Sequence, residues 1–291
     1  MIVPIEIQNE ISKYMYNLND IINMYNQSKN HQTEIKITNL YDINKKDLEK
    51  LTQNVIEQQK FKNVENLYAH NNSKIKNVNH MKKTLKILNC GYDDYRNCGI
   101  DQCGISKLNL IELYAFNNLT IKNVNYMKKT LNILNCSHDC GIDQCGILEL
   151  NLIELCADLN SKIKNVNHMK KTLKILDCGW DCGIDQCGIS ELNLLELCAE
   201  YNEKIINVNH MKRTLKILNC SHDCGINQCG ISELNLIELN ACCNEKIKNV
   251  NHMKRTLKIL YCRFDCGINQ HGISELNLIE LYADYNSKIK C

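Results

Sequence analysis

The side chains of this 291-residue chain that are best suited to chemistry are its nineteen cysteines, all of which lie from Cys90 onwards. They recur as triplets with the spacing C-x3-C-x4-C, and histidine replaces one member once. Thiolates and imidazoles at a recurring spacing are typical Zn²⁺ ligands, so a zinc site is one interpretation. The triplets are Cys136, Cys140 and Cys145; Cys178, Cys182 and Cys187; Cys220, Cys224 and Cys229; Cys262, Cys266 and His271; and, with an insertion, Cys90, Cys98 and Cys103.

Self-alignment of the chain favours a structural interpretation of these triplets. The first cysteine alternates with alanine and the third with valine, and a free cysteine packs like a small apolar residue. No fourth ligand recurs, because Trp180 and Phe264 stand where His138 and His222 stand in other triplets. We therefore predict no metal and no cofactor, with the first and third cysteines in the core. The second cysteine aligns mostly with polar residues and is predicted to be exposed and oxidisable (Cys140, Cys182, Cys224 and Cys266).

The alignment rests on a repeat of 21 residues, which is the interval from Leu173 to Leu194. The repeat covers residues 64–291 in eleven units, which we call coils. Coils share leucine at positions 1 and 4, alanine or cysteine at 6, asparagine or aspartate at 9, and isoleucine at 12. A coils, with alanine at position 6, alternate with B coils, which carry the cysteine triplet. One B coil has four extra residues, and the last A coil is partial. A coils begin at Val64, Leu110, Leu152, Leu194, Leu236 and Leu278, and B coils at Leu85, Leu131, Leu173, Leu215 and Leu257.

The frame LxxLx(A/C)xx(N/D)xxI resembles the leucine-rich repeat. The resemblance implies an α/β solenoid, a horseshoe whose short parallel strands form a concave sheet. The pattern agrees physically, because one coil buries its apolar face only by stacking on its neighbours. The residue at position 9 is expected to turn the chain and bond backbone groups, and the residue at position 15 to face the core.

Charge and hydropathy exclude several classes of function. Lys and Arg total 35 against 33 for Asp and Glu, and this balance argues against binding to nucleic acid or a membrane surface. The sequence has no run of eighteen apolar residues, so we predict no membrane-spanning segment. The first residues, MIVPIEIQNEI, do not resemble a secretory signal, so we expect the protein in the reducing cytoplasm with free thiols.

Positions 5, 7 and 8 vary most between coils and predict the binding surface. Aromatic and histidine side chains on an exposed strand face suit protein binding, although drift on a solvated face is the alternative. Glutamate recurs at position 3 of the A coils from Glu112 to Glu280, and lysine recurs at position 2 of the B coils, as at Lys86. This pattern predicts cross-strand charge pairing rather than catalysis, so no enzyme is expected. The candidate target-binding residues are Tyr92, Tyr114, His138, Trp180, Tyr201, His222, Tyr261, Phe264, Tyr282 and Tyr285.

The N-terminal segment predicts two helices, the first with an apolar face and the second capped by Asp20. Val3-Pro4-x-Glu6, the Ile11-x-x-Tyr14 spacing and Asp20-Ile21-Ile22 resemble the start of an F-box. Followed by such repeats, they look like the F-box/leucine-rich-repeat proteins of giant amoeba viruses. The resemblance implies docking on a Skp-type adaptor of a cullin-RING ubiquitin ligase, in the host cytoplasm if the protein is viral. The residues implied in docking are Pro4, Ile5, Ile7, Ile11 and Met15.

We therefore predict three parts: an F-box-like helical module at 1–33, an irregular capping repeat at 34–63 and the coils at 64–291. The predicted function is a non-catalytic adaptor, a substrate receptor of an SCF-type ligase whose concave face binds a target protein. The alternative is a protein-binding or structural solenoid without a ligase link, in which residues 1–30 only cap the apolar end. The chain ends at Cys291 within a coil, which predicts an open sheet edge that suggests a binding partner, a dimer or a truncated gene.

Overall fold

The computed structural model of the protein describes residues 17–30, 36–41, 45–93 and 97–290. The chain forms two compact units, Met1–Leu150 and Asn151–Cys291. In each unit short parallel strands follow one another in chain order, one strand per coil, which confirms the predicted repeat solenoid with a parallel sheet. The first unit holds β1 (Asn39–Leu40), β2 (Asn66–Tyr68), β3 (Ile87–Asn89), β4 (Glu112–Tyr114) and β5 (Ile133–Asn135). The second holds β6 (Glu154–Cys156), β7 (Ile175–Asp177), β8 (Glu196–Cys198), β9 (Ile217–Asn219), β10 (Glu238–Asn240), β11 (Ile259–Tyr261) and β12 (Glu280–Tyr282).

Each strand comprises positions 3 to 5 of its coil, and equivalent positions pair across the sheet. Leu176 lies opposite Leu197, which occupies the same position in the next coil. Positions 1, 4, 6 and 12 form the core, and their side chains in the A coil at 194 are at most 2% exposed. Burying aliphatic side chains in this way contributes about 1.5–3 kcal/mol for each Leu or Ile, so stacking stabilises every coil.

Helical segments form the return arms and the N-terminal part. Described α-helices are α1 (Leu18–Asn30), α2 (Lys45–Leu48), α3 (Gln53–Ile56), α4 (Gln102–Ile105) and α5 (Gln144–Ile147). Single 3₁₀ turns span Gln59–Phe61, Asn79–Met81, Asn125–Met127, Asn167–Met169, Cys187–Ile189, Asn209–Met211, Cys229–Ile231, Asn251–Met253 and His271–Ile273. Across the described ranges, none of the helices combines the length and apolar character that crossing a bilayer requires.

The return arms of the two coil types differ, and the prediction for the third cysteine was wrong. In A coils Val208 precedes the 3₁₀ turn and is buried, whereas in B coils the turn begins at Cys187 itself, which is exposed. The buried side chains of the B arm are instead Ile189 and Leu192. Cys103, Cys145 and Cys229 are exposed in the same way.

The second cysteine, predicted to be exposed, is buried in B coils. It occupies the place of the position-9 asparagine in A coils, since the backbone N–H groups of both Cys182 and Asn202 bond the carbonyl three residues earlier. The position-9 aspartate, exemplified by Asp181, is exposed and does not fill that place. Burial raises the pKa of Cys182 to about 11, and the same holds for Cys98, Cys224 and Cys266.

B coils carry glycine where the backbone of the neighbouring coil comes too close for a side chain, not where the backbone needs a positive φ. No described glycine has a positive φ. A Cβ atom at Gly188 would clash with the backbone carbonyl oxygen of Lys164 in the preceding coil. Coils therefore approach closely at a residue that has no side chain.

The first described helix is joined to the segment that precedes the coils. Asn17 Oδ1 accepts from the backbone N–H of Asn19 at 2.9 Å, so Asn17, not Asp20, caps α1. The N–H of Leu18 donates to the buried carboxylate of Asp47 at 3.0 Å, and Leu18 and Ile21 are buried. The predicted docking residues Pro4, Ile5, Ile7, Ile11 and Met15 lie outside the described residues.

Candidate protein-binding surface

The most variable positions lie on the outward face of the sheet and in the turn that follows each strand. Position 8 has a left-handed backbone in every coil except the one with the insertion, as at Trp180 with φ 53°. For bulky residues this conformation costs about 1–3 kcal/mol, so the fold imposes it. β-Branched residues and proline are absent from position 8, and that absence is the sequence signal that could have predicted the conformation. The residues are Asn71, Asn117, His138, Leu159, Trp180, Tyr201, His222, Cys243, Phe264 and Tyr285.

Three of the predicted target-binding residues stack in consecutive coils of the second unit. The ring centroids of Trp180 and Tyr201 are 4.3 Å apart, and those of Tyr201 and His222 are 4.2 Å apart. We call these three side chains the aromatic ladder. Trp180 is 45% exposed and Tyr201 and His222 are half-buried, so the ladder presents part of its ring surface to solvent.

Four further predicted residues pair near the end of the second unit. The rings of Tyr261 and Tyr282 stack at 4.5 Å, and those of Phe264 and Tyr285 at 5.5 Å. The guanidinium of Arg263 lies 5.1 Å from the centre of the Tyr282 ring. Arg263 also pairs with a carboxylate of the next coil, Nε to Asp284 Oδ2, at 2.8 Å. This chain therefore holds one arginine between an aromatic ring and a carboxylate.

In the first unit the structure brings Tyr114 into a group of rings that sequence reasoning missed. Tyr41 lies 5.4 Å from Tyr68 and 6.4 Å from Tyr114, and His70 lies 5.2 Å from Phe116. Tyr41 precedes the coils, so the repeat frame gave no signal for it. Of the two remaining predicted residues, Tyr92 is half-buried and His138 is exposed.

Carboxylates surround a glycine beside the aromatic ladder. Asp158, Gly179 and Glu200 all occupy position 7 in three consecutive coils. A methyl group at Gly179 would lie 2.9 Å from the backbone oxygen of Glu200, 3.0 Å from Asp158 Oδ1 and 3.6 Å from Asp177 Oδ1, so the place of a side chain is already filled. Glu200 joins this group to the ladder, because its Oε1 lies 3.5 Å from His222 Nε2.

The cysteines offer no comparable site. Among the described residues, no three His, Cys, Asp or Glu side chains are placed to hold a metal ion. His271 stands where other B coils carry the third cysteine, and both residues are exposed and contribute a carbonyl oxygen to the contact with the preceding coil. The carbonyl oxygen of His271 accepts from Asn251 Nδ2 at 2.8 Å, and that of Cys187 accepts from Asn167 Nδ2 at 2.8 Å.

Charge pairs recur on the return arms, although Lys86, one of the lysines predicted to pair across strands, does pair with Glu65 of the preceding coil, Nζ to Oε2 at 2.7 Å. The strand register places Glu196 opposite Ile175 and Ile217, not opposite lysine. Recurring pairs join position 19 of successive coils and are exposed, so each contributes little to stability. These pairs are Lys128–Glu149, Lys170–Glu191, Lys212–Glu233 and Lys254–Glu275.

Comparison of the chain with protein-family models and with curated proteins finds no match.

Proposed function

We propose that this protein is a non-catalytic adaptor that binds a target protein through the outward face of its sheet and the adjoining turns. The observation that carries this proposal is the exposed aromatic ladder of Trp180, Tyr201 and His222, set on a framework that barely changes between coils. Rigid, partly exposed aromatic rings supply large contact area at low entropic cost, and they are enriched in protein interfaces.

The adaptor's second partner is a Skp-type subunit, which makes it a substrate receptor of an SCF-type cullin-RING ubiquitin ligase in the cytoplasm. This part rests on the F-box-like residues from Val3 to Ile22. The apolar side chains of Pro4, Ile5, Ile7, Ile11 and Met15 would dock on the Skp-type subunit.

The ligase link is tested by binding of the full chain to purified Skp-type adaptor. We expect micromolar binding or tighter, and its loss in the double variant Pro4→Glu, Ile7→Asp, because charge at a desolvated contact leaves an unpaired ion. Asn23→Asp is the matched control, since it adds one charge at an exposed position of the same segment. Absence of binding by the unmodified chain at about 10 μM would refute the link.

The second candidate function is a protein-binding solenoid without a ligase link, in which the N-terminal helices only cap the coils. The burial of Leu18 and Ile21 and the bond from Leu18 to Asp47 favour a capping role for α1. Deleting the N-terminal segment would therefore damage the fold, and substitutions are the sharper test. Under this alternative, affinity purification recovers the same targets from the Pro4→Glu, Ile7→Asp variant and from the unmodified chain, with no ligase subunit in either.

A further inference from the structure

Cationic side chains recur where the chain enters the B coils of the second unit. Each of these B coils has lysine at position 2 and, three residues earlier, lysine or arginine at position 20 of the preceding A coil. Positions 20, 21, 1 and 2 carry no aspartate or glutamate anywhere in the second unit. We call the six cationic side chains the basic row: Lys171, Lys174, Arg213, Lys216, Arg255 and Lys258.

Within the ranges that the structure describes, the six side chains of the basic row take part in no ion pair or hydrogen bond, not even with the glutamates at position 3 of the A coils. The lysines at position 19 differ, because each pairs with a glutamate of the next coil, as Lys170 does with Glu191. Three members of the row are exposed and three are half-buried at the surface. Their charge is therefore available to a partner outside the chain.

The first unit shows which partner a cation in this place takes. Lys86, at position 2 of its B coil, pairs with Glu65, at position 2 of the preceding A coil, Nζ to Oε2 at 2.7 Å. In the second unit isoleucine or leucine occupies that position of every A coil, so the carboxylate is missing. These aliphatic side chains are exposed, Ile153 by 46%, Leu195 by 44% and Ile237 by 46%. A ligand that supplies carboxylates and covers aliphatic surface would complete the row.

The spacing of the basic row matches a polyproline II segment. Neighbouring strands lie about 4.8 Å apart, so equivalent residues two coils apart recur at about 9.6 Å. A polyproline II helix has three residues per turn and rises about 3.1 Å per residue, so every third side chain recurs on one face at about 9.3 Å. Side chains on one face of an extended strand recur at about 6.7 Å, which does not match. Carboxylates at every third residue of a polyproline II segment would therefore meet successive lysines.

We propose that the basic row binds an acidic segment of the target protein, in polyproline II conformation, with a carboxylate at every third residue. This proposal rests on the adaptor function and names the chemistry of its target. The carboxylates pair with Lys174, Lys216 and Lys258, and the residues between them cover the exposed aliphatic side chains. A protein segment fits better than a single-stranded nucleic acid, whose bases stack on aromatic rings, because the side chains between these lysines are aliphatic.

Two acidic peptides of the same composition test the spacing. The probe is a fluorescein-labelled peptide of four Pro-Pro-Glu repeats, titrated with the full-length protein and followed by fluorescence anisotropy. Its control has two repeats of Pro-Pro-Pro-Pro-Glu-Glu, with the same length and charge. We expect a dissociation constant of about 0.1 mM for the probe, because several charge pairs form together. The control should bind at least about fivefold more weakly, since its adjacent carboxylates cannot reach successive lysines. Equal affinities would overturn the proposal.

Two double variants test whether the basic row is the site. Lys216→Gln, Lys258→Gln should weaken binding of the probe about fivefold or more, because two charge-assisted contacts are lost. Lys248→Gln, Lys290→Gln is the matched control, since it removes two exposed lysines at position 13 of the same unit and should change the affinity less than about twofold. Equal loss in both double variants, or tighter binding of a twelve-nucleotide oligouridine than of the probe, would overturn the proposal.

Returning the missing carboxylate to the chain should close the site. Ile237→Glu places an acid where Glu65 stands in the first unit, within reach of Lys258 as Glu65 is of Lys86. We expect this variant to bind the probe at least about fivefold more weakly than the uncharged control Ile237→Gln does. Equal affinities of these two variants would contradict the proposal.

A further arm separates this proposal from the adaptor function. Affinity purification with the unmodified chain should recover a target that the Lys216→Gln, Lys258→Gln variant recovers poorly. Equal recovery by both would refute the acidic-segment site and leave the adaptor function standing. If the unmodified chain recovers no target while the probe still binds with the expected spacing preference, the adaptor function fails and the site remains.

Discussion

Burial separates the cysteines of the B coils into two chemical classes. Cys187 and its equivalents are exposed, whereas Cys182, Cys224 and Cys266 are buried. Burial disfavours the thiolate, so it raises the pKa of each of these three buried thiols to about 11. Only the thiolate reacts with alkylating agents, and at pH 8 about one thousandth of such a buried thiol is ionised.

We therefore expect iodoacetamide at pH 8 to modify Cys103, Cys145, Cys187 and Cys229 well before the buried cysteines, as peptide mass mapping would show. Labelling of the buried group should rise as the pH approaches 11 or when urea unfolds the coils. Cys187→His is the control: it removes one labelled site and should leave the unfolding free energy within about 0.5 kcal/mol, because histidine already occupies this position at His271. Equal labelling rates for Cys182 and Cys187 would contradict the burial pattern.

Position by position, the sequence predicted the strands and the positions that face the core well, but not the return arms. Positions 1, 4, 6 and 12 are buried in both coil types except in the last coil, where Leu281 is 38% exposed, so one alignment describes them. From position 9 onwards the alignment placed Cys187 beside Val208, whereas the structure begins the 3₁₀ turn one residue earlier in B coils. Two residues at the same position of the repeat can therefore lie at different points of the backbone turn.

At the scale of elements, amide side chains join each coil to its neighbour. In A coils the buried Asn202 donates from Nδ2 to the carbonyls of Cys178 at 2.7 Å and Ile184 at 3.1 Å, both in the preceding B coil. Its Oδ1 accepts from the N–H of Lys204 at 3.0 Å. On the return arm, Gln186 Oε1 accepts from the N–H groups of two residues in the following A coil. Every such bond satisfies a backbone group that the turn leaves without a strand partner.

Asn202→Ala should destabilise the protein by about 3 kcal/mol, because it leaves two buried carbonyls and one N–H unpaired. Urea unfolding followed by circular dichroism measures the change. The matched control is Asp181→Ala, which alters position 9 of the neighbouring B coil. Since Asp181 is exposed, its loss should cost less than about 0.5 kcal/mol. Similar costs for the two variants would show that position 9 has the same role in both coil types, contrary to the structure.

At the scale of the molecule, the alternation of coil types makes the structural repeat a pair of coils, one A and one B, rather than a single coil. In the A coils at 110, 194, 236 and 278, the buried asparagine donates to carbonyls of the preceding B coil, and the glycines of the B coil admit the backbone of the A coil before it. A coil of one type is therefore matched to neighbours of the other type, although the strand register alone would accept either.

Two deletions within the second unit test this pairing. Removing residues 194–235 takes out one A and one B coil and joins Asn193 to Leu236, so that the B coil at 173 again meets an A coil. Asn244 would then occupy the place of Asn202, and we expect a folded, monodisperse protein with the strand signal of the parent. Removing only 194–214 stacks two B coils, and Cys224, which fills the place of Asn202 in a B coil, has no amide group to donate to the carbonyls of Cys178 and Ile184.

The shorter deletion should therefore give a protein that unfolds at lower urea or aggregates, although it loses half as much of the chain. Stability in a solenoid is close to a sum over neighbouring interfaces, so on length alone the longer deletion would be the more damaging one. The order reverses only if coil type matters, because the longer deletion restores an A coil after a B coil and the shorter one does not. Equal or better stability of the shorter deletion would make the single coil the structural repeat after all.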